Sequence, residues 1–418
     1  MPHKAKVGCL FTAILVACIG LWATETLNAD DWPQIGGPNR NGISKETKLL
    51  PKWGQNGPPV AWKKQVGSGF SAPVIADGKL LLFHQIGNKE TVTCMEANTG
   101  KVLWQTGYVT TFQDNFGKGE GPRATPVIDN GKVYTLGAEG YLQCLNFKDG
   151  SKVWGFALKD RYNLPQNYFG IGTSPVVAGK LLLVNVGGTQ TGIVGFRTDN
   201  GKEVWRATNH EASYSSPVVA KVAGKELAIF FTRHGVVLLN PGDGKIIHQQ
   251  RWRAVINASV NAATPLVIGD TLFFSTAYDT GALLLKFDGK KVTEVWKNDE
   301  SMTNHYNTCV FHNGHLYGIH GRQEAGADLR CVELKTGKVK WTQKRFGCAS
   351  LILADGKIIA FTEDGELVLF RPTPEGFQQI SRADVLDAEP ARAMSALSDG
   401  RLFVRDRDTL ICFDLRDR

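Results

Sequence analysis

A tryptophan returns along this chain at intervals of 42 to 51 residues: Trp62, Trp104, Trp154, Trp205, Trp252, Trp296 and Trp341. Several are reached through a Gly-Lys turn, as in Thr99-Gly100-Lys101 before Trp104, Asn200-Gly201-Lys202 before Trp205 and Thr336-Gly337-Lys338 before Trp341. A fixed period of this length marks a repeat architecture, in which each unit buries its apolar face only against its neighbours.

Upstream of each tryptophan a small-polar-Pro step opens a short apolar run: Ser71-Ala72-Pro73, Ala124-Thr125-Pro126, Thr173-Ser174-Pro175, Ser215-Ser216-Pro217 and Ala263-Thr264-Pro265. Asn307-Thr308-Cys309 takes this place in a sixth unit, and weaker equivalents lie near Leu351 and Ser395. Turns such as Asp77-Gly78, Asn130-Gly131, Asn313-Gly314, Asp355-Gly356 and Asp399-Gly400 follow. Asn-Gly and Asp-Gly between apolar runs predict two-residue hairpins, because both turn residues need positive φ. Two further strands complete each unit, and no segment sustains an apolar period of 3.6. Eight four-stranded units predict an all-β, eight-bladed β-propeller. The approximate blades are 66–107, 120–158, 168–208, 212–254, 259–298, 303–343, 346–383 and 390–418 with 58–64. The last blade lacks a fourth strand, and the spare Val60-Ala61-Trp62 strand is expected to complete it, joining the two ends and removing a sheet edge.

Residues 1–29 read as a signal peptide: Lys4 and Lys6 precede an apolar run from Val7 to Ala23, with a cleavage site at Leu27-Asn28-Ala29. That run is short for an uncleaved span. Leu15-Val16-Ala17-Cys18 also resembles a lipobox, making Cys18 a lipidation candidate. Either way residues 30–418 are expected to be exported, as a periplasmic or extracellular monomer without a membrane span. Cys94, Cys144, Cys331 and Cys412 keep one place in the repeat, which predicts small buried hydrophobes rather than disulfides. Net charge is +8, and loss of Lys4, Lys6 and Glu25 leaves +7. The basic residues are scattered, with no block interleaved with aromatics, which argues against nucleic acid.

The segments Cys94-Met95-Glu96-Ala97-Asn98-Thr99-Gly100-Lys101-Val102-Leu103-Trp104 and Cys331-Val332-Glu333-Leu334-Lys335-Thr336-Gly337-Lys338-Val339-Lys340-Trp341 closely resemble the tryptophan-docking motif of the PQQ-type (quinoprotein) β-propellers. The resemblance covers the chain from about Trp53. It implies that each Trp packs against the Gly turn of a neighbouring blade. Asp31-Trp32-Pro33-Gln34 with Gly37-Pro38-Asn39-Arg40 resembles the start of secreted PQQ-binding-like repeat proteins. Docking motifs build blades and do not themselves bind a cofactor.

Three functions fit such a propeller. A PQQ-dependent dehydrogenase of alcohols or sugars needs a Ca²⁺ held by oxygen ligands, a catalytic Asp and a basic residue near the quinone. The chain has no adjacent cysteine pair and no Cys-x-x-Cys-His, so no cofactor is expected, with PQQ plus Ca²⁺ the alternative. A second function is a scaffold like BamB, binding envelope proteins through loops. The third, preferred here, is a binding propeller without catalysis, for a small polar ligand or a glycan on the funnel face.

Loops leading into the inner strands carry Arg123, Tyr168, Tyr214, Asn257, Asn261, His305 and Tyr306, and loops between the second and third strands carry Glu139, His234, Tyr278, His320 and Arg322. Both sets share the face around the channel, and such groups converging there suit a polar ligand. Each has a plainer alternative. Asn257 and Asn261 could satisfy backbone groups, Arg123 could be an ion-pair partner of Glu120, and Tyr168 and Tyr214 could pack loops. His305, His312, His315 and His320 match no zinc spacing, so no metal site is expected. The long Tyr108–Pro122 insert, with Asp114 and Glu120, is the candidate lid.

Overall fold

The computed structural model describes residues 1–2, 31–114, 120–164, 170–257, 259–386 and 390–417. The leader, Cys18 and Tyr168 lie outside the described residues. The strands form eight four-stranded antiparallel sheets, seven of them built in chain order from the channel outwards, with two short 3₁₀ turns as the only helix among the described residues. Seven blades are single stretches, from Val74–Val109 in the first to 349–384 in the seventh. The eighth combines Ala396–Ser398, Arg401–Arg405 and Thr409–Asp414 with Val60–Gln65 as its outer strand.

Local chemistry explains the hairpins. Asp77 and Gly78 have φ of 48° and 68°, and Asn130 and Gly131 have 45° and 67°. Two successive positive φ values give the turn whose twist matches the strands it joins. Between blades the packing is apolar. Phe231 of blade four meets Phe274 of blade five edge-on, with centroids 5.4 Å apart.

The tryptophans lock neighbouring blades. Trp62, Trp104, Trp154, Trp205, Trp296 and Trp341 each donate an indole N–H to a carbonyl of the next blade: Ala97, Phe147, Thr198, Pro241, Leu334 and Thr373, at 2.8 to 3.2 Å. A Cβ on Gly100 would lie 3.0 Å from the Trp62 ring, so the turn glycine lets the indole approach.

Trp252 breaks the pattern. The place paired with Leu238 in blade four, where six other blades put tryptophan, is held by His248. Trp252 lies beyond the strand end at Arg251, and its Nε1 has no partner among the described residues. Its spacing from neighbouring tryptophans is regular, but its register is four residues late. The four repeated cysteines, by contrast, share one place: each pairs across the ladder with a docking tryptophan. All six described cysteines are buried and free.

The small-polar steps also build the fold. Ala72 N–H donates to Thr125 Oγ1, Thr125 N–H to Ser174 Oγ and Ser174 N–H to Ser216 Oγ, at 2.8 to 3.2 Å. Thr264 N–H donates to Thr308 Oγ1 at 3.0 Å. The hydroxyls thus stitch inner strands around the channel.

Residues 31–50 cross the channel at the far ends of those inner strands. Trp32 pairs with Ile75 of blade one, and Pro33 O accepts from Ile128 N–H of blade two. Ser44 N–H reaches Leu353 O of blade seven, and Leu50 N–H reaches Leu415 O just past blade eight. Between these contacts Arg40, 2% exposed, donates to Pro175 O and Pro217 O of blades three and four. The segment plugs one end of the channel.

Candidate functional site

Above the plug is a cavity of about 250 Å³ on the channel axis, floored by Ile35. Its wall is one repeat position sampled blade by blade, two residues before the stitching residue, Ala72 in blade one and a Ser or Thr in blades two to six. Phe70, Arg123, Gly172, Tyr214, Ala262 and Tyr306 hold this place in blades one to six, and all line the cavity. Loops between second and third strands add Tyr278, Arg322, Gln323 and Glu324, and blade eight adds Arg392 and Met394.

Six of the sequence-predicted residues meet here: Arg123, Tyr214, Tyr278, His305, Tyr306 and Arg322. Asn261 does not. It is buried, its Nδ2 donates to Thr232 O at 2.8 Å, and its backbone carbonyl accepts from Ser213 Oγ at 2.6 Å. It ties blade four to blade five. Asn257 lies on the Trp252–Asn257 loop, where its carbonyl accepts from Arg253 at 3.2 Å. His320 is held by Thr303 Oγ1 at 3.2 Å and Arg330 at 3.0 Å, away from the lining. Tyr168 lies outside the described residues, as does the middle of the Tyr108–Pro122 insert.

Every arginine of the site has a carboxylate. Arg123 meets Asp114, not Glu120, at 3.2 Å, and its guanidinium lies 4.7 Å from the Phe112 ring centre. Glu120 instead accepts from Gln85 at 3.2 Å. Arg322 sits 4.4 Å over the Tyr278 ring and 3.2 Å from Glu324. Arg392 binds Glu363 at 2.7 Å, and Tyr306 donates its hydroxyl to the other oxygen of that carboxylate at 2.5 Å. Burial, then the charge and hydrogen bond of Glu363, push the Tyr306 phenol far above its ordinary value. Burial holds the His305 pKa down, so its ring is neutral near pH 7, bridging Gln323 Oε1 and the Tyr278 hydroxyl at 3.0 Å each. The cavity thus offers aromatic faces, cationic donors and a neutral imidazole on a fixed frame.

Fold and site define an eight-bladed PQQ-like propeller with a blind axial cavity. A family profile described as outer membrane protein assembly factor BamB matches residues 88–343, and the chain belongs to that family. The quinohemoprotein alcohol dehydrogenase ADH-IIG of Pseudomonas putida is 27% identical over 162 residues. That match takes in 37% of this chain and only 21% of the enzyme. Among solved structures, the quinohemoprotein alcohol dehydrogenase of Comamonas testosteroni superposes with a TM-score of 0.66 at 13% identity, covering 93% of this chain and 81% of the enzyme. BamB of Moraxella catarrhalis superposes with a TM-score of 0.61 at 15% identity, covering 85% of this chain and 99% of that protein. At such identities these superpositions show the fold.

The tryptophan-docking resemblance raises PQQ with calcium. Calcium takes roughly six to eight oxygen ligands. Glu324, the one carboxylate lining the cavity among the described residues, faces Arg322, while Asp114 and Glu363 behind the wall are tied to Arg123 and Arg392. No group of three His, Cys, Asp or Glu among the described residues is placed to hold a metal. Among the described residues the donor set does not fit calcium.

Proposed function

We propose that this protein is an exported binding propeller, acting without catalysis of its own, that takes a small polar ligand in the axial cavity. The supporting observation is the convergence of Arg123, Arg322, Arg392, Tyr214, Tyr306 and His305 on one blind cavity of about 250 Å³. This lies just below the roughly 300–1,000 Å³ of typical ligand clefts and suits a ligand of about one ring. Arginines held by carboxylates and aromatic rings are preorganised, which lowers the entropy lost on binding. The test is a thermal-shift titration with sugars, sugar acids and PQQ plus Ca²⁺, beside dye-linked oxidation of alcohols and sugars. Saturable stabilisation by a sugar-sized ligand without dye reduction is expected. Dye reduction with PQQ would replace this reading with the dehydrogenase one.

One observation favours a second reading, an envelope scaffold. On the Trp252–Asn257 loop Val255 is 99% exposed and Ile256 54%, beside Arg251 and Arg253. An exposed apolar tip flanked by cations suits a protein partner. A photo-crosslinker at Val255, used in cells, should then capture one dominant envelope protein. Absence of any adduct would set this reading aside.

A further inference from the structure

We infer that the cavity accepts an acidic saccharide ring, and that Arg40, buried in the plug beneath it, sets the sign of charge it takes. The inference rests on the binding reading above and narrows it to a ligand class.

Arg40 differs from the three arginines that line the cavity. Its Nε donates to Gln34 Oε1 at 2.8 Å, its Nη1 to Pro217 O at 2.7 Å and its Nη2 to Pro175 O. These partners are neutral, and no carboxylate among the described residues pairs with it. Arg123, Arg322 and Arg392 each face an acid, so their fields are largely cancelled at short range. The charge of Arg40 is not cancelled.

Its position makes that charge felt. Pro217, whose carbonyl it holds, directly follows Ser216 of the cavity wall, and Gln34 directly precedes Ile35 of the floor. A buried charge in a poorly polarisable surround is weakly screened by salt. A guanidinium also stays protonated even where burial lowers its pKa. The cavity therefore sits over a fixed, uncompensated cation.

The wall supplies the remaining chemistry. Among the described lining side chains three are guanidiniums and one is a carboxylate. Phe70, Met394 and Ile35 offer apolar surface, while Tyr214, His305 and Gln323 offer hydrogen-bonding groups. An anion that also presents an apolar ring face and several hydroxyls is a sugar acid, free or at the end of an acidic glycan.

Isothermal titration of the full mature chain tests this with glucuronate, glucuronamide, glucose and tetragalacturonate. Glucuronate should bind at least about tenfold tighter than glucuronamide, its neutral isostere, as a charge-assisted contact predicts. Arg40→Gln, which keeps a donor for the carbonyls, should shrink that gap to about threefold or less while leaving glucose affinity unchanged, and Arg40→Lys should restore it. Equal wild-type affinities for glucuronate and glucuronamide would overturn the acidic class, and this comparison needs no variant to fold. A full preference retained in a folded Arg40→Gln would overturn the role of Arg40. Tetragalacturonate binding tighter than the monomer would identify a glycan end, and binding of the monomer alone a free sugar acid, both within the proposed class. If no saccharide or PQQ binds, the binding reading itself fails, a result distinct from loss of charge preference.

Discussion

Trp62 lies directly across the ladder from Cys412, 350 positions later in the chain, and its indole N–H reaches Ala97 O of blade one at 2.9 Å. One residue therefore completes the eighth sheet and fastens it to the first. Non-local closure of this kind brings the chain ends together and leaves no open edge between those blades. Trp62→Ala should lower unfolding stability by about 2–4 kcal/mol, from lost aromatic burial and a lost hydrogen bond. Trp252→Ala, removing a ring outside the docking register, should cost clearly less. Equilibrium denaturation of the two variants checks the contrast, and equal losses would refute the role given to register.

Acid should weaken this protein through buried histidines that the fold holds neutral. His84 is 3% exposed, and burial, helped by the charge of Arg405, lowers its pKa to about 3. Its Nδ1 accepts from Gly67 N–H at 2.7 Å, a bond only the neutral ring can make. The unfolded chain protonates this histidine near its ordinary 6.5 while the folded chain does not. Stability is thus full above pH 6.5 and falls as pH drops towards 3, by up to about 1.4 kcal/mol per pH unit for one such group. His320, lowered to about 4 by burial and Arg330, adds in the same direction. Denaturation midpoints between pH 7 and 5 should show a positive slope that flattens in His84→Gln.

The fold was legible because repetition multiplies weak signals. Asp-Gly and Asn-Gly turns, hydroxyl-Pro steps and Gly-Lys turns each recur at one phase, and six tryptophans keep the docking register. Trp252 misled because spacing between tryptophans is a coarser measure than distance from the turn: counted from Gly244, the docking place is His248. The site was half legible for a related reason. Aligning the units on the stitching residue puts Phe70, Arg123, Gly172, Tyr214, Ala262 and Tyr306 in one column, so the wall could be read from sequence. Asn261 shares the loops but points its amide at Thr232 O, which no periodicity reveals. The plug is non-repetitive, so nothing in the repeat announced that Arg40 and Ile35 enter the channel.

Calcium should leave thermal stability unchanged at concentrations up to about a millimolar, because carboxylates tied to arginines are poor candidates for a site needing six or more oxygens. The measurement is a thermal scan with and without CaCl₂. A saturable rise in melting temperature would place calcium ligands beyond the donor set assembled here.

Gly172 controls the posture of Tyr214. A Cβ on this glycine would overlap the Tyr214 ring, and Arg123 Cβ lies 3.3 Å from the same point. Gly172→Ala should push Tyr214 into the cavity, weakening ligand binding severalfold while costing only about 1–3 kcal/mol of stability, as modest overpacking does. Tyr214→Ala combined with Gly172→Ala should recover that stability. Titration with the best saccharide probe, beside denaturation, separates the two effects.

Tyr306 and Arg392 meet through Glu363, which lies behind the wall. The Tyr306 hydroxyl holds one oxygen of that carboxylate at 2.5 Å and Arg392 the other at 2.7 Å, so blades six, seven and eight share one carboxylate. Tyr306→Phe removes a hydrogen bond to a charged acceptor and should cost about 1.5–3 kcal/mol. Glu363→Gln should cost more, because it strips the anion from Arg392 in a half-buried place where an uncompensated charge is expensive. It should also free the Arg392 guanidinium, so anionic probes bind tighter even as stability falls. Opposite signs for stability and anion affinity in Glu363→Gln are the signature of a carboxylate that restrains a binding arginine, and a parallel loss of both would show that Glu363 serves packing alone.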